Sequence, residues 1–428
     1  MQKGAKIIFM FGENFVSDDA EIKMAWENYN QNSTNSPSMQ CLVTGKILPI
    51  AKIHSKINGV KDAHTAGASI VTFNAAAFES YGRDGEQNLN APVSEYAAFA
   101  YTTALNDLLF DAEHKKFLGD MTVVYWAEEN STACQDCFME FLLPSDEEIS
   151  NKTLNDLMAG IQKQNIIFKG TKLNYDNPFY ILGLSPNSGR ISIRFFLEKS
   201  FGEVVKNISK HYEDLKIIKP EFNKFEYIPL WQILRATVSS KSKDKSASPL
   251  MSGAVVRAIM TGTDYPVSLF QNTILRIKAE QSITYEKAAI IKAYLTRNKG
   301  RENLMALDEN SNDRNYVLGR IFSVFEAIQY AANPGINSTI KDKYFNSACA
   351  NPDHIFPILQ KLSVHHLKKL EKGAKIYFDK QLTNLMNKLE LTEKKFSPLT
   401  LEEQGIFILG YYHQTQERYK SKGAKENG

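Results

Sequence analysis

Apolar and polar positions along the first half of the chain switch repeatedly between two periods. Strand-like patterns over residues 6–11, 68–73, 121–126, 177–184 and 190–197 predict strands, and helical spacing over 17–29, 93–109, 146–162 and 201–215 predicts helices. Asn, Ser and Thr with Pro37 make 30–40 a loop by composition. In the second half the helical period takes over. Val317, Leu318, Ile321, Phe322, Phe325 and Ile328 lay an apolar stripe that Asn333-Pro334-Gly335 stops. Another helix is predicted over 355–370. Thr400 and Glu403 have capping-box spacing and open a last helix through Tyr412. Gly405 and Gly410 on that helix permit close approach by a neighbour, at a propensity cost of about 1 kcal/mol each. The fold class expected is an α+β N-terminal domain followed by an all-α helical bundle. The boundary falls between 215 and 231, giving domains at 1–220 and 221–428, with a polar breaker at 239–246 early in the second.

Length agrees with this division, since 428 residues exceed what one core usually serves. Hydrophobic and charged contents of 43% and 23% are globular values. No apolar run reaches the length of a membrane span, and no signal peptide is expected ahead of the first strand. Four cysteines in so long a chain fit a reducing cytoplasm. Cys134-x-x-Cys137 has the spacing of half a zinc site, but no second pair accompanies it, so free thiols and no metal are expected. The formal charge of +3 conceals an asymmetry: residues 1–220 carry −6 and residues 221–428 carry +9. A basic half suits a polyanion partner, and it equally suits ordinary solvated helix faces.

The chain's most specific stretch runs over 41–109. Its loop at 80–90 holds Gly82, Gly85, Asn88 and Asn90, with Pro92 just beyond, residues that admit or fix unusual backbone angles. It also holds Ser80, Tyr81, Arg83 and Gln87, which can hydrogen-bond phosphates or base edges. No nucleophile and base stand there. The loop reads as a binding surface.

These residues also carry a resemblance. Cys41-x-x-x-Gly45, Phe73-Asn74, Ser80-Tyr81-Gly82, Asn90-Ala91-Pro92-Val93 and Tyr101-Thr102-Thr103-Ala104-Leu105 resemble the large subunit of the type I-C CRISPR effector complex, Cascade. Later blocks match in order: 180–187 leading to Arg190 and Arg194, Leu318-Gly319-Arg320, 333–337 with Lys343-Tyr344-Phe345, His365-His366-Leu367-Lys368-Lys369, and 403–405 with 410–414. Members of that family carry a substantial region ahead of the part that Met1 begins here, so this chain is expected to be a shortened member. Functions tied to that region, including much of the contact to the protospacer-adjacent motif, do not carry over.

The resemblance implies a non-catalytic subunit of a guide-RNA surveillance complex. Its partners would be guide RNA, target DNA, the backbone and guide-capping subunits, and a separate helicase–nuclease. The sequence itself has no Walker loop, no His-Asp nuclease dipeptide, no Gly-x-Ser-x-Gly elbow and no His-Glu-x-x-His, so neither enzyme nor cofactor is expected. The alternative is a family remnant acting only as a structural or interaction protein.

The candidate nucleic-acid-binding residues are Asn74, Ser80, Tyr81, Gly82, Arg83 and Asn90 around the loop. Arg190 and Arg194 join them, since with Ser192 they alternate onto one face of a strand and can grip successive phosphates or bond nearby carboxylates. In the bundle the candidates are Lys292, Arg297, Arg301, Arg320, Lys341, Lys343, Lys368 and Lys369, clustered with Tyr294 and Tyr344 for stacking along a displaced strand. Met305 adds a further expectation. In the resembled family the C-terminal helical part is also made separately, by internal initiation, as a small subunit. The codons of Lys299-Gly300-Arg301-Glu302 can be almost wholly purine, as an upstream ribosome-binding sequence requires. Residues from about 305 would then form that small-subunit-like bundle, or Met305 simply ends a helix.

Overall fold

The computed structural model describes residues 9–32, 36–73, 75–78, 87, 89–129, 132–144, 147–221, 223, 227–243, 245–389 and 398–426. They form two compact units. One comprises Met1–Phe117, Met121–Val124 and Leu182–Phe195; the other comprises Leu118–Asp120, Tyr125–Ile181 and Phe196–Gly428.

The first unit opens with a short hairpin, β1 (Met10–Phe11) and β2 (Asn14–Phe15), in which Met10 faces Phe15. Helix α1 (Ala20–Asn32) follows, and the Asp19 carboxylate caps it by accepting from the N–H groups of Glu21 and Ile22. A second hairpin joins β3 (Ser38–Gln40) to β4 (Ile47–Pro49). Helix α2 (Glu95–Phe110) begins at Ser94, whose hydroxyl accepts from the Ala97 N–H. The strand expected over 68–73 does not form. Its residues make only isolated bridges, Ala68 to Ile57 and Ser69 to Arg190. No neighbour runs beside the segment far enough to continue a ladder, and an apolar pattern without one stays irregular. The strand expected over 6–11 is described only in its last part, as β1.

Strands β5 (Lys115–Leu118) and β6 (Met121–Ala127) precede two helices, α3 (Thr132–Leu142) and α4 (Glu147–Gln162). A small hairpin, β7 (Ile167–Phe168) and β8 (Thr171–Lys172), leads to the long strands β9 (Pro178–Asn187) and β10 (Arg190–Ser200). The resulting four-stranded sheet has the order β10-β9-β6-β5. Helix α5 (Phe201–Leu215) starts at a capping box of Ser200 and Glu203. Tyr125, Phe138, Phe179 and Phe201 pack ring to ring at 5.2, 5.2 and 5.6 Å beneath the sheet, all buried. Cys134 and Cys137 belong to this packing on α3, where burial pushes the Cys137 thiol up.

From residue 230 the chain is helical: α6 (Leu230–Arg235), α7 (Pro249–Thr261), α8 (Val267–Glu280), α9 (Tyr285–Lys299), α10 (Arg314–Ala332), α11 (Ile340–Ala350), α12 (Pro352–Leu367), α13 (Lys372–Met386) and α14 (Leu401–Glu426). The α+β portion followed by an all-α bundle is the expected fold class. Thr400 and Glu403 make the predicted capping box, with the Thr400 N–H 2.8 Å from the Glu403 carboxylate. Helix α14 extends well past Tyr412. It crosses α10 at backbone distance: a Cβ on Gly319 would lie 2.0 Å from the Phe407 carbonyl oxygen, and one on Gly410 2.1 Å from that of Tyr316. Around this crossing Phe322, Phe345, Phe407 and Tyr411 meet edge to face or tilted at 5.6–6.0 Å. Several polar groups inside are matched to one another. The Glu326 carboxylate accepts from Tyr411 at 2.6 Å and from Thr339 at 3.0 Å, and Ser323 meets Thr415 at 2.8 Å.

Candidate nucleic-acid interface

The strap before α2 is built from the Cys41 motif. The Cys41 N–H donates to Lys46, its carbonyl accepts from Gly45, and its buried sulfur accepts from the Ser94 N–H at 3.2 Å. Leu42 and Ala51 donate to Pro92 and Val93 at 2.9 and 3.0 Å, so residues 92–94 are pinned along the hairpin. Cys41, Ala51, Val93, Ala97 and Ala98 close a small core with Tyr101 against it. This anchor fixes where the preceding loop ends. Asn90, the last of the loop candidates, is half-buried there, and its Nδ2 has no partner among the described residues. Asn74, Ser80, Tyr81, Gly82 and Arg83 lie outside the described residues.

Arg190 and Arg194 both lie on β10. The Arg190 guanidinium covers the Phe78 ring at 3.7 Å, and the neighbouring Ile191 N–H donates to Ser69 at 3.0 Å. Arg190 is therefore held beside the residues that lead into the loop. Arg194 is exposed four residues further along the same strand.

The bundle candidates divide by burial. Lys292 is buried and donates to the Glu213 carbonyl at 3.1 Å; burial lowers its pKa. Arg297 pairs with Asp214 at 2.6 Å, with both side chains almost wholly enclosed, and stacks over Tyr265 at 4.1 Å. Arg320 is buried, donating to Gln414 at 2.9 Å and to the Asp308 carbonyl at 3.0 Å. These three cations are committed to internal partners. Arg301 bridges Asp313 and Glu402 at 3.5 and 3.4 Å on a partly exposed surface.

Of the remaining four, Lys369 meets the C-terminal end of α10, and α11, which carries two others, starts beside it. Gln329 there accepts from the Ile340 N–H at the start of α11, which carries Lys341 and Lys343. Asn333 accepts from the Lys369 ammonium at 3.1 Å and lies 3.2 Å from His366 Nδ1. Lys343, Lys368 and Lys369 are exposed; Lys343 covers the Tyr344 ring at 5.1 Å, and Lys341 lies 6.0 Å from that of Tyr411. Cations at the negative end of a helix dipole are favourably placed there and still available to a phosphate. Helix α13 continues this chemistry with exposed Lys372, Lys375 and Tyr377, which the sequence reading passed over. The signal was the Lys-Gly-Ala-Lys quartet at 372, a motif that also occurs at 3 and 422 and reads as coincidence.

The comparisons with known proteins then decide the family. The family model described as CRISPR-associated protein (Cas_Csd1) matches residues 1–419. The chain belongs to that family. A comparison with curated proteins gives no match. Among the described residues of this Cas_Csd1 member, no group of three His, Cys, Asp or Glu side chains is placed to hold a metal ion. No described helix is long and apolar enough to cross a membrane.

Proposed function

We propose that this Cas_Csd1 member is the large subunit of a type I-C Cascade, a non-catalytic protein of a cytoplasmic guide-RNA complex. The reading is carried by the family match along residues 1–419. In such complexes base pairing reads the target sequence, while protein holds backbones and stabilises the opened duplex. The loop ending at Asn90, with Arg190 and Arg194, contacts nucleic acid near the 5′ end of the guide. The exposed lysines at the end of α10, with α13, track the displaced strand. A separate helicase–nuclease is recruited to cut. Helices α10–α14 pack on one another around Phe322 and Phe407, which supports a second product initiated at Met305, an exposed residue in the connection before α10, although Gly405 of α14 also packs on Phe270 and Ile291 ahead of it.

Co-expression of a tagged chain with the backbone and guide-capping subunits and guide RNA tests the assembly. Stoichiometric co-purification is expected, and mass spectrometry should find a peptide starting at Met305 or Ala306. A folded chain that fails to co-purify would instead favour the stand-alone structural or interaction protein.

A further inference from the structure

The sheet carries aromatic side chains on both faces. Tyr125 and Phe179 supply the core on one side. Trp126, Tyr180 and Phe196, their sequence neighbours on β6 and β9 and a residue of β10, lie on the other, because successive side chains of a strand point to opposite faces. The three rings form a near-parallel triangle. Trp126 and Tyr180 are 5.2 Å apart and inclined by 12°, and Phe196 stands 6.3 Å from each at 30° and 18°. Phe196 is 52% exposed, and the other two are partly exposed. A ring cluster serving the core alone would be enclosed as Phe138, Phe179 and Phe201 are.

Two carboxylates border the triangle. Glu198 lies two residues beyond Phe196 on β10 and shares its face, and Glu128 follows the end of β6 two residues after Trp126. The Glu128 N–H donates to the Pro178 carbonyl at 2.9 Å, which sets Glu128 alongside the strand two residues before Tyr180. Burial raises the Tyr180 phenol pKa, and the charges of Glu128 and Glu198 raise it further, so both acids are within electrostatic reach of that ring. Both acids are exposed.

Arg194 shares this face two residues before Phe196, so two carboxylates stand against one guanidinium and the triangle's edge stays acidic; aromatic faces beside such an edge attract a planar cation. We infer that the Trp126–Tyr180–Phe196 triangle receives an arginine side chain of a protein partner, its guanidinium stacked on the rings and hydrogen-bonded to Glu128 and Glu198. Arginine fits better than lysine: its flat, weakly hydrated fork stacks on rings and pairs with carboxylates, whereas an ammonium is a compact hydrated charge. The site goes beyond the nucleic-acid role proposed above and does not depend on it. If the chain assembles, the arginine belongs to a neighbouring protein subunit.

Trp126 is its own reporter. The chain has three tryptophans, and Trp26 and Trp231 are exposed, so W26F/W231F leaves a single fluorophore at the site. We would titrate that full-length variant with N-acetyl-Gly-Arg-Gly-amide, with the same peptide carrying neutral citrulline, and with a short oligothymidylate. A saturable fluorescence change is expected with the arginine peptide only, weakened about tenfold by adding E128Q/E198Q, as the loss of charge-assisted bonds requires. Unchanged thermal melting of the quadruple variant would show that the acids act on the ligand and not on folding. An equal response to citrulline, no effect of E128Q/E198Q, or silence with both peptides overturns the inference. Saturable binding of oligothymidylate without the arginine peptide also overturns it and makes the triangle a base-stacking platform. None of these outcomes requires the effector complex, so they are independent of whether assembly itself succeeds.

Discussion

Along α1 every described side chain is exposed, including Met24, Trp26 and Tyr29, whereas α10 buries an unbroken run over 316–328. The first region is held by backbone bonds, caps and small residues such as Cys41 and Ala97. The second is held by rings and by helices touching at their backbones. The difference governs what charge means in each. On α10 even Arg320 and Glu326 are enclosed and serve the bundle through fixed partners. A basic cluster written in a helical sequence thus splits into cations that build the protein and cations that remain at its surface, and only burial tells them apart.

Removing the partner of an enclosed cation should break this distinction most severely. Asp214→Ala leaves the Arg297 guanidinium buried without its carboxylate and should cost about 3–5 kcal/mol in urea unfolding. Next in size is the helix crossing. Gly410→Ala places a methyl group 2.1 Å from the Tyr316 carbonyl, and should cost about 3 kcal/mol by the same measurement, since neither backbone can give way easily.

Acid provides a milder test. His413 Nδ1 lies 2.8 Å from the Tyr316 hydroxyl in the bundle; burial and the Arg320 charge bring its pKa down to about 4. His211, 2.6 Å from the Tyr265 hydroxyl, is lowered to about 3 by burial and Arg297. An unfolded chain takes up these protons below about pH 6.5, and the folded chain resists until far lower. Stability should therefore be complete above that pH and fall as the pH drops below it, by at most about 1.4 kcal/mol per pH unit for each histidine. Urea melts at pH 7 and pH 5 should show it, and His413→Gln should flatten the slope by one proton.

The smallest structural effect, and the sharpest contrast, belongs to the exposed pair. Lys368→Gln with Lys369→Gln should leave stability within about 0.5 kcal/mol. The same variant should make the salt dependence of oligonucleotide binding shallower by about one to two units in log–log slope. Lys292→Gln should do the reverse, lowering stability and leaving the salt slope alone.

Local signals were readable and distant ones were not. The 201–215 helix agrees with α5 at both ends, and the Thr400–Glu403 box stands where spacing placed it, because both depend on residues within one turn. The strand expected over 68–73 failed for want of a neighbour, which no local pattern supplies. Lys292 and Arg320 look like surface cations in sequence because their partners, Glu213 and Gln414, are 79 and 94 residues away. The aromatic triangle escaped notice for the same reason. Its members come from three strands, and each alone is an ordinary alternating residue.

The crossing of α10 by α14 also bears on how the protein is made. Gly319 waits for a backbone that the ribosome supplies some ninety residues later, and the Tyr412 hydroxyl donates to the Ile218 carbonyl across a separation of 194 residues. Helices α11 and α12 reach Phe322 and Phe325 earlier, but the face of 314–332 that meets α14 stays uncovered until 401–426 have followed. Apolar surface left open in this way is what makes a nascent chain prone to aggregation, so the last helix completes the fold and also closes its most exposed seam.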